Sequence, residues 1–202
     1  MAQKSAPKAR ILGGLAFAFV LLFVVYVAYD AWLKPAPVEV VPSGETTEQL
    51  LAVLELEDGP VEIELLPERA PKAVERITTL IDKGFYDGIV FHRVIAGFMA
   101  QTGDPTGTGT GGSDLPDLPA EFSDEPFVRG VIGMARTPDP NSANSQFFIM
   151  YAPAPNLDGQ YTVVGKVVSG MEHVDAIKKG DPSTNGLVTD PDKIVSFRLK
   201  TE

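Results

Sequence analysis

From Val53 to the C-terminus the chain is cut into short β-forming runs by glycine and proline, which number 19 and 17 in 202 residues. A chain divided this way has no stretch long enough for a helical bundle. Many short strands with Gly/Pro turns and few helices point instead to an antiparallel sheet curled on itself. Val53 to Glu57, the turn Asp58-Gly59 and Val61 to Leu65 read as a β-hairpin. Within it Val61, Ile63 and Leu65 alternate with Glu62 and Glu64, the period of a half-buried strand. Further runs follow at Ile89 to Ile95, Phe98 to Thr102, Val131 to Ala135, Gln146 to Met150, Tyr161 to Val168 and Lys193 to Lys200. Pro67 to Lys83 reads as a helix: Pro71 suits its first turn, Val74, Ile77, Leu80 and Ile81 form a stripe, and Gly84 suits the position after its end. Met171 to Lys179 reads as a second helix, ended by Gly180. The expected fold is mainly β: a closed eight-stranded antiparallel barrel capped by two helices.

Ahead of this domain, Ile11 to Tyr29 is an uncharged run of nineteen residues. A membrane helix needs about 20 apolar residues, and Tyr26, Tyr29 and Trp32 suit the interface. Two other readings are a cleavable signal peptide and a buried core helix. The exit Tyr26-Val27-Ala28-Tyr29-Asp30-Ala31-Trp32 lacks the small-x-small pattern of a cleavage site, which favours a retained anchor. Lys4, Lys8 and Arg10 precede the run and only Lys34 follows closely, so the N-terminus is expected to stay in the cytoplasm. The expected organisation is a cytoplasmic tail at 1–10, a signal-anchor helix at 11–33, a Pro-rich linker at 34–48 and a folded domain at 49–202. The domain is then expected on the outer side of the inner membrane, which in a Gram-negative cell is the periplasm.

Charge and composition narrow the chemistry. Residues 1–34 carry a net +3, so the remainder carries −13 to reach the total of −10. An acidic domain repels phosphate backbones and argues against a nucleic-acid partner. With no cysteine there is no disulfide, no thiolate nucleophile and no cysteine metal site. The stretch Gly103 to Gly112 (GDPTGTGTGG) lacks the Gly-Lys-Ser/Thr of a phosphate-cradling loop and reads as a flexible connection.

Four segments stand out: Phe85-Tyr86-Asp87-Gly88-Ile89-Val90-Phe91-His92-Arg93-Val94-Ile95; Gly97-Phe98-Met99-Ala100-Gln101-Thr102-Gly103-Asp104; Gly133-Met134-Ala135-Arg136 with Asn144-Ser145-Gln146-Phe147-Phe148-Ile149; and Asn156-Leu157-Asp158-Gly159-Gln160-Tyr161-Thr162-Val163-Val164-Gly165-Lys166-Val167. In order and spacing they resemble the cyclophilin-type prolyl isomerases, over roughly residues 50–200. FHRVI-x-GFM-x-Q together with SQFFI is far more specific than any one short motif.

The resemblance implies a barrel with its active site on the outer face. It also implies a substrate, the Xaa-Pro bond of a partly unfolded chain, with no cofactor and no metal. Arg93, an ordinary exposed arginine if taken alone, matches the family's active-site arginine. Gln101 matches the glutamine that bonds the substrate backbone, and Gln146 supports it; either alone would pass for an outward polar residue of a strand. Phe98, Met99, Phe148 and Leu157 match the proline pocket, although core packing is the commoner fate of such residues. Adjacent strand residues face opposite ways, so one of Phe147 and Phe148 can be core and the other pocket; the resemblance assigns Phe148 to the pocket and Phe147 to the core. Ala135 and Arg136 match the strand edge along which substrate lies. His92 is expected to be structural, since no cysteine or second suitably placed histidine accompanies it.

Three positions depart from the better-known eukaryotic members. Asn156 stands where a tryptophan usually contributes to the contact with the inhibitor cyclosporin. Tyr161 replaces the histidine of the pocket rim, and Arg136 replaces an asparagine whose contact is mainly main-chain. The functional expectation is a monomeric, membrane-anchored isomerase that assists the folding of exported proteins. A non-catalytic proline-peptide-binding module and a membrane-tethered assembly factor are the alternatives.

Overall fold

The structure, a computed structural model, describes residues 49–200. The expected tail at 1–10, anchor at 11–33 and linker at 34–48 lie outside the described residues. Among the described residues, no helix is long and apolar enough to cross a membrane.

The hairpin forms as its pattern predicts. Strands β1 (Leu50–Leu56) and β2 (Gly59–Leu65) pair antiparallel, with Leu54 opposite Val61 and Leu56 opposite Gly59. Ala52, Leu54, Leu56, Val61, Ile63 and Leu65 are buried, while the glutamates between them face outward. Six strands complete the sheet: β3 (Arg93–Ile95), β4 (Met99–Thr102), β5 (Val131–Met134), β6 (Phe147–Met150), β7 (Val163–Ser169) and β8 (Ser196–Leu199). Their spatial order is β3-β4-β6-β5-β7-β2-β1-β8, and every pairing is antiparallel.

The expected closed barrel is not what forms. Strands β3 and β8 end the sheet, and no ladder joins them, so the sheet is a curled half-barrel. Irregular backbone fills the seam. Phe91 N donates to the Asp192 carbonyl at 2.9 Å, Ile194 N to Ile89 at 2.9 Å and Val94 N to Gly186 at 2.8 Å. Pro182 and Pro191 lie in the segment that would have to continue the ladder, and proline has no N–H to give it. The same break shortens the expected strand at Ile89 to Ile95 to its last three residues.

Helix α1 (Pro71–Asp82) begins four residues later than the sequence suggests. Ala70, preceding a proline, is held at φ −145°, ψ 71°, so the helix cannot run back through it to Pro67. No side chain of the helix itself caps its start. The Glu121 carboxylate, 48 residues away, accepts from Ala73 N at 2.9 Å and from Lys72 N at 3.1 Å, satisfying otherwise orphaned amides at the positive end of the helix. Helix α2 (Met171–Ala176) stops three residues short of Lys179, because Ile177 turns extended (φ −49°, ψ 130°) and is buried.

Two apolar clusters divide the sheet. The larger fills the concave face, where Phe147 meets Tyr86 edge-on at 5.5 Å between centroids. The smaller lies on the opposite face and gathers Met99, Phe127, Val131, Phe148 and Leu157. Phe147 and Phe148 thus serve different faces, as alternation requires.

Candidate active site

Register builds the site. Arg93 lies opposite Gln101 across β3 and β4, Gln101 opposite Phe148 across β4 and β6, and Phe148 opposite Gly133 across β6 and β5. Opposed residues share a face, so one line across the sheet carries a cation, an amide and an aromatic ring. Gly133 stands next to Phe148 on the line with no side chain, and a Cβ there would lie 2.6 Å from the Phe148 ring and 2.7 Å from Phe127.

Beside that line is a hollow of about 180 Å3. Its floor is Met99, Phe148 and Leu157, all buried, and its walls are Phe98 and Tyr161. Phe148 stacks on Phe127 at 5.7 Å and 26° and meets Tyr161 edge-on at 5.8 Å and 85°. Both contacts are favourable ring geometries that hold the floor in place. Arg93, Gln101, Ala135 and Arg136 form the polar lip. The Arg136 guanidinium sits 4.5 Å from the Tyr161 ring centroid and donates to the carbonyls of Gln160 and Thr137 at 3.0 and 2.9 Å. Its side chain therefore ties two loops at the rim, where sequence reasoning expected only a main-chain role.

Arg93 is held at three nitrogens. Nη1 donates to Gln101 Oε1 at 3.1 Å, Nη2 to Asn185 Oδ1 at 3.2 Å and Nε to the Asn185 carbonyl at 3.1 Å. All three acceptors are neutral, and among the described residues no carboxylate lies within 4 Å of this guanidinium. Partial burial draws its pKa below the ordinary arginine value, against an opposing influence from Tyr161. Gln101 passes the order on: its Nε2 donates to Gln146 Oε1 at 2.8 Å, and Gln146 Nε2 donates to the carbonyls of Gly111 and Gly109 at 2.8 and 3.1 Å.

Those two carbonyls belong to the glycine-rich stretch, which is not the loose connection expected of it. It folds around the buried Asp104 carboxylate. Oδ1 accepts from Thr106 N and Oγ1, both at 2.8 Å, and Oδ2 from Gly109 N and Gly111 N at 2.6 and 3.1 Å. Burial alone raises this carboxyl's pKa. The N–H groups of Gly111, Thr106 and Gly109, with the Thr106 hydroxyl, outweigh burial and bring it down to about 2. Gly103 lets this loop approach β6, since a Cβ there would collide with the Ser145 carbonyl.

Of the residues singled out in the sequence, nine meet at the hollow. Gln146 lines a neighbouring cavity of about 410 Å3 that shares Gln101, Ala135 and Arg136 with it. Asn156 stands apart: it is exposed and outside the lining, on a 3-10 turn at Pro155–Leu157 that buries Leu157 instead. His92 is buried beside Arg93 with neither ring nitrogen hydrogen-bonded to a described residue, and burial lowers its pKa. Sequence reasoning missed Asn185 and Asp104. An aspartate followed by alternating Gly and Thr could have signalled the second, because such a carboxylate readily turns the following backbone around itself.

The family model for "Cyclophilin type peptidyl-prolyl cis-trans isomerase/CLD" matches residues 51–199. A probable peptidyl-prolyl cis-trans isomerase of Brucella suis is 57% identical over 161 residues, 74% of this chain and 82% of that protein. The human peptidyl-prolyl cis-trans isomerase-like 3 is 46% identical over 125 residues, 60% of this chain and 77% of that one. Among solved structures, a cyclophilin type isomerase of Cryptosporidium parvum superposes with a TM-score of 0.70 at 29% identity, covering 76% of this chain and 99% of that one. A second structure of that protein, in the presence of the dipeptide Ala-Pro, gives a TM-score of 0.69 at 30% identity and covers 75% of this chain and 99% of that one.

Proposed function

The chain belongs to the cyclophilin-type peptidyl-prolyl cis-trans isomerases, and from that membership we propose which of its residues turn the Xaa-Pro bond and where the domain works. Rotation about that bond breaks amide resonance, against a barrier of about 20 kcal/mol. No covalent bond is made or lost, so the protein needs only to hold the twisted amide better than the planar one.

The prolyl ring seats on Met99, Phe148 and Leu157. In the twisted state the prolyl nitrogen regains its lone pair and becomes an acceptor. Arg93 then donates one of the two N–H bonds that Gln101 and Asn185 leave unused. That acceptor does not exist in the planar ground state, so the bond favours the transition state selectively. Gln101 donates its second Nε2 hydrogen to a substrate carbonyl, which holds one side of the bond while the other rotates. The observation that carries this reading is a guanidinium fixed only by neutral acceptors at the lip of a ring-sized hollow with an apolar floor. A carboxylate partner would spend its field on an ion pair.

No step transfers a proton to or from the protein, and burial keeps His92 below the ordinary histidine range. The kcat/KM for an Ala-Pro peptide, measured by NMR exchange, should therefore stay flat from roughly pH 7 to 9. A bell-shaped profile in that window would instead indicate acid–base chemistry and overturn the assignment.

The same proposal places the domain outside the inner membrane as a monomer, held by the apolar run Ile11 to Tyr29 and acting on exported chains. Its support is the run's length and the three positive residues before it. Protease added to intact spheroplasts of a Gram-negative host should digest the domain; protection of the domain would reverse the topology.

A further inference from the structure

The segment 180–188 lies along the outer edge of β3. Gly180 N donates to the Val94 carbonyl at 2.9 Å, Val94 N to Gly186 at 2.8 Å and Val188 N to His92 at 3.1 Å. Both neighbours of Arg93 are thus stitched to this segment. The segment is itself a closed turn. The Asp181 carboxylate accepts from Ser183 N at 2.8 Å, and its carbonyl accepts from Gly186 N at 2.9 Å. Asn185 ends the 3-10 turn Pro182–Thr184 in the left-handed region, at φ 57° and ψ 36°. Asparagine is among the few non-glycine residues that enter this region at low cost.

A glycine would satisfy that backbone. What it could not supply is the Oδ1 that reaches Arg93 Nη2 while the residue's own carbonyl reaches Nε. Two bonds from one residue to two nitrogens of a planar group fix both its plane and its rotation within the plane. Gln101 alone, bonding through Nη1 from the opposite side, would leave the guanidinium free to swivel. We infer that Asn185 is the positioning residue for Arg93: its neutral side chain and left-handed backbone together aim the guanidinium into the proline hollow without neutralising it. This inference rests on the catalytic role proposed for Arg93.

The test uses the full chain in detergent micelles, with NMR exchange on one Ala-Pro peptide, and compares Asn185→Gly, Asn185→Asp and Arg93→Ala with the parent. Asn185→Gly keeps the left-handed backbone and the carbonyl acceptor but loses Oδ1. It should lower kcat on the order of tenfold, with KM and thermal midpoint little changed. Asn185→Asp keeps the shape and adds a charge. Its turnover should fall at neutral pH and recover, relative to the parent at the same pH, as the solution is acidified through the new carboxyl's pKa. The Arg93 cation holds that pKa below the ordinary aspartate value, so recovery comes only in acid. Protonation restores a neutral partner, and the parent has no such limb. If Asn185→Gly stays within about twofold of the parent, or loses only through KM, the positioning role is wrong. An Arg93→Ala variant as active as the parent would remove the catalytic reading itself, whereas an inactive Arg93→Ala beside a fully active Asn185→Gly would remove only the role of Asn185.

Discussion

Arg93→Ala is expected to lower kcat/KM for an Ala-Pro peptide by on the order of 10² to 10³, the loss that follows removal of one preorganised donor to a developing charge, about 2.7–4 kcal/mol. The loss should fall on kcat. The apolar floor of Met99, Phe148 and Leu157, the proposed seat of the prolyl ring, remains, so peptide affinity by NMR titration should move little. Stability should also be nearly unchanged. Arg93 is only half-buried, and its departure leaves Gln101 Oε1 and Asn185 Oδ1 at a lip that water can reach. Arg93→Lys should recover little, because an ammonium cannot bond Asn185 twice and Gln101 once while still donating to substrate. A variant that loses turnover only in step with its thermal midpoint would assign Arg93 to the fold and not to the reaction.

The largest effect on stability is expected at a residue outside the lining of the hollow. Asp104→Asn should lower unfolding free energy by about 3 kcal/mol, measured by urea denaturation at neutral pH. The change is nearly isosteric. It replaces one carboxylate oxygen with an NH2 group, which would face amides now donating to that carboxylate: Thr106 N on one oxygen, Gly109 N and Gly111 N on the other. At least one buried donor is then left facing another. Turnover should fall as well, though less than for Arg93→Ala, since Gln146 takes its bearing from the carbonyls of Gly109 and Gly111 and passes it to Gln101. The parent's acid behaviour follows from the same bonds. The Asp104 carboxyl titrates near 2 when folded and near 3.9 when unfolded. Its contribution is therefore complete above the unfolded value and fades as the pH drops toward about 2. Asp104→Asn should flatten that part of the acid limb. A urea midpoint unchanged by the substitution would show that the loop is held by something other than this carboxylate.

Most of the sheet was legible because local pattern and final environment agree. Val61, Ile63 and Leu65 alternate with glutamates and are buried on the concave face. Phe147 and Phe148 had to part company, and they do, into separate clusters. The start of α1 was misplaced because Pro67 and Pro71 both suit a first turn. Only the geometry of Ala70 shows which one opens the helix. The closed barrel failed for a longer-range reason: closure needs matching N–H and C=O rows on β3 and β8, and the residues around Pro182 and Pro191 take the seam as irregular loop.

At the site, the family resemblance carried by short motifs singled out Arg93, Gln101, Met99, Phe148 and Leu157, and the fold brings these side chains to one hollow. Those residues lie in short contiguous motifs whose spacing is set by strand register. Sequence was silent on Asn185, 92 residues from Arg93, and it misread the stretch around Asp104 as loose. The sequence by itself therefore determined which faces of the strands are apolar and which side chains stand on the site line. Tertiary structure alone decided how they are aimed. A guanidinium's orientation depends on acceptors delivered by distant turns, and a carboxylate organises a loop only once burial has removed the water that would otherwise satisfy it.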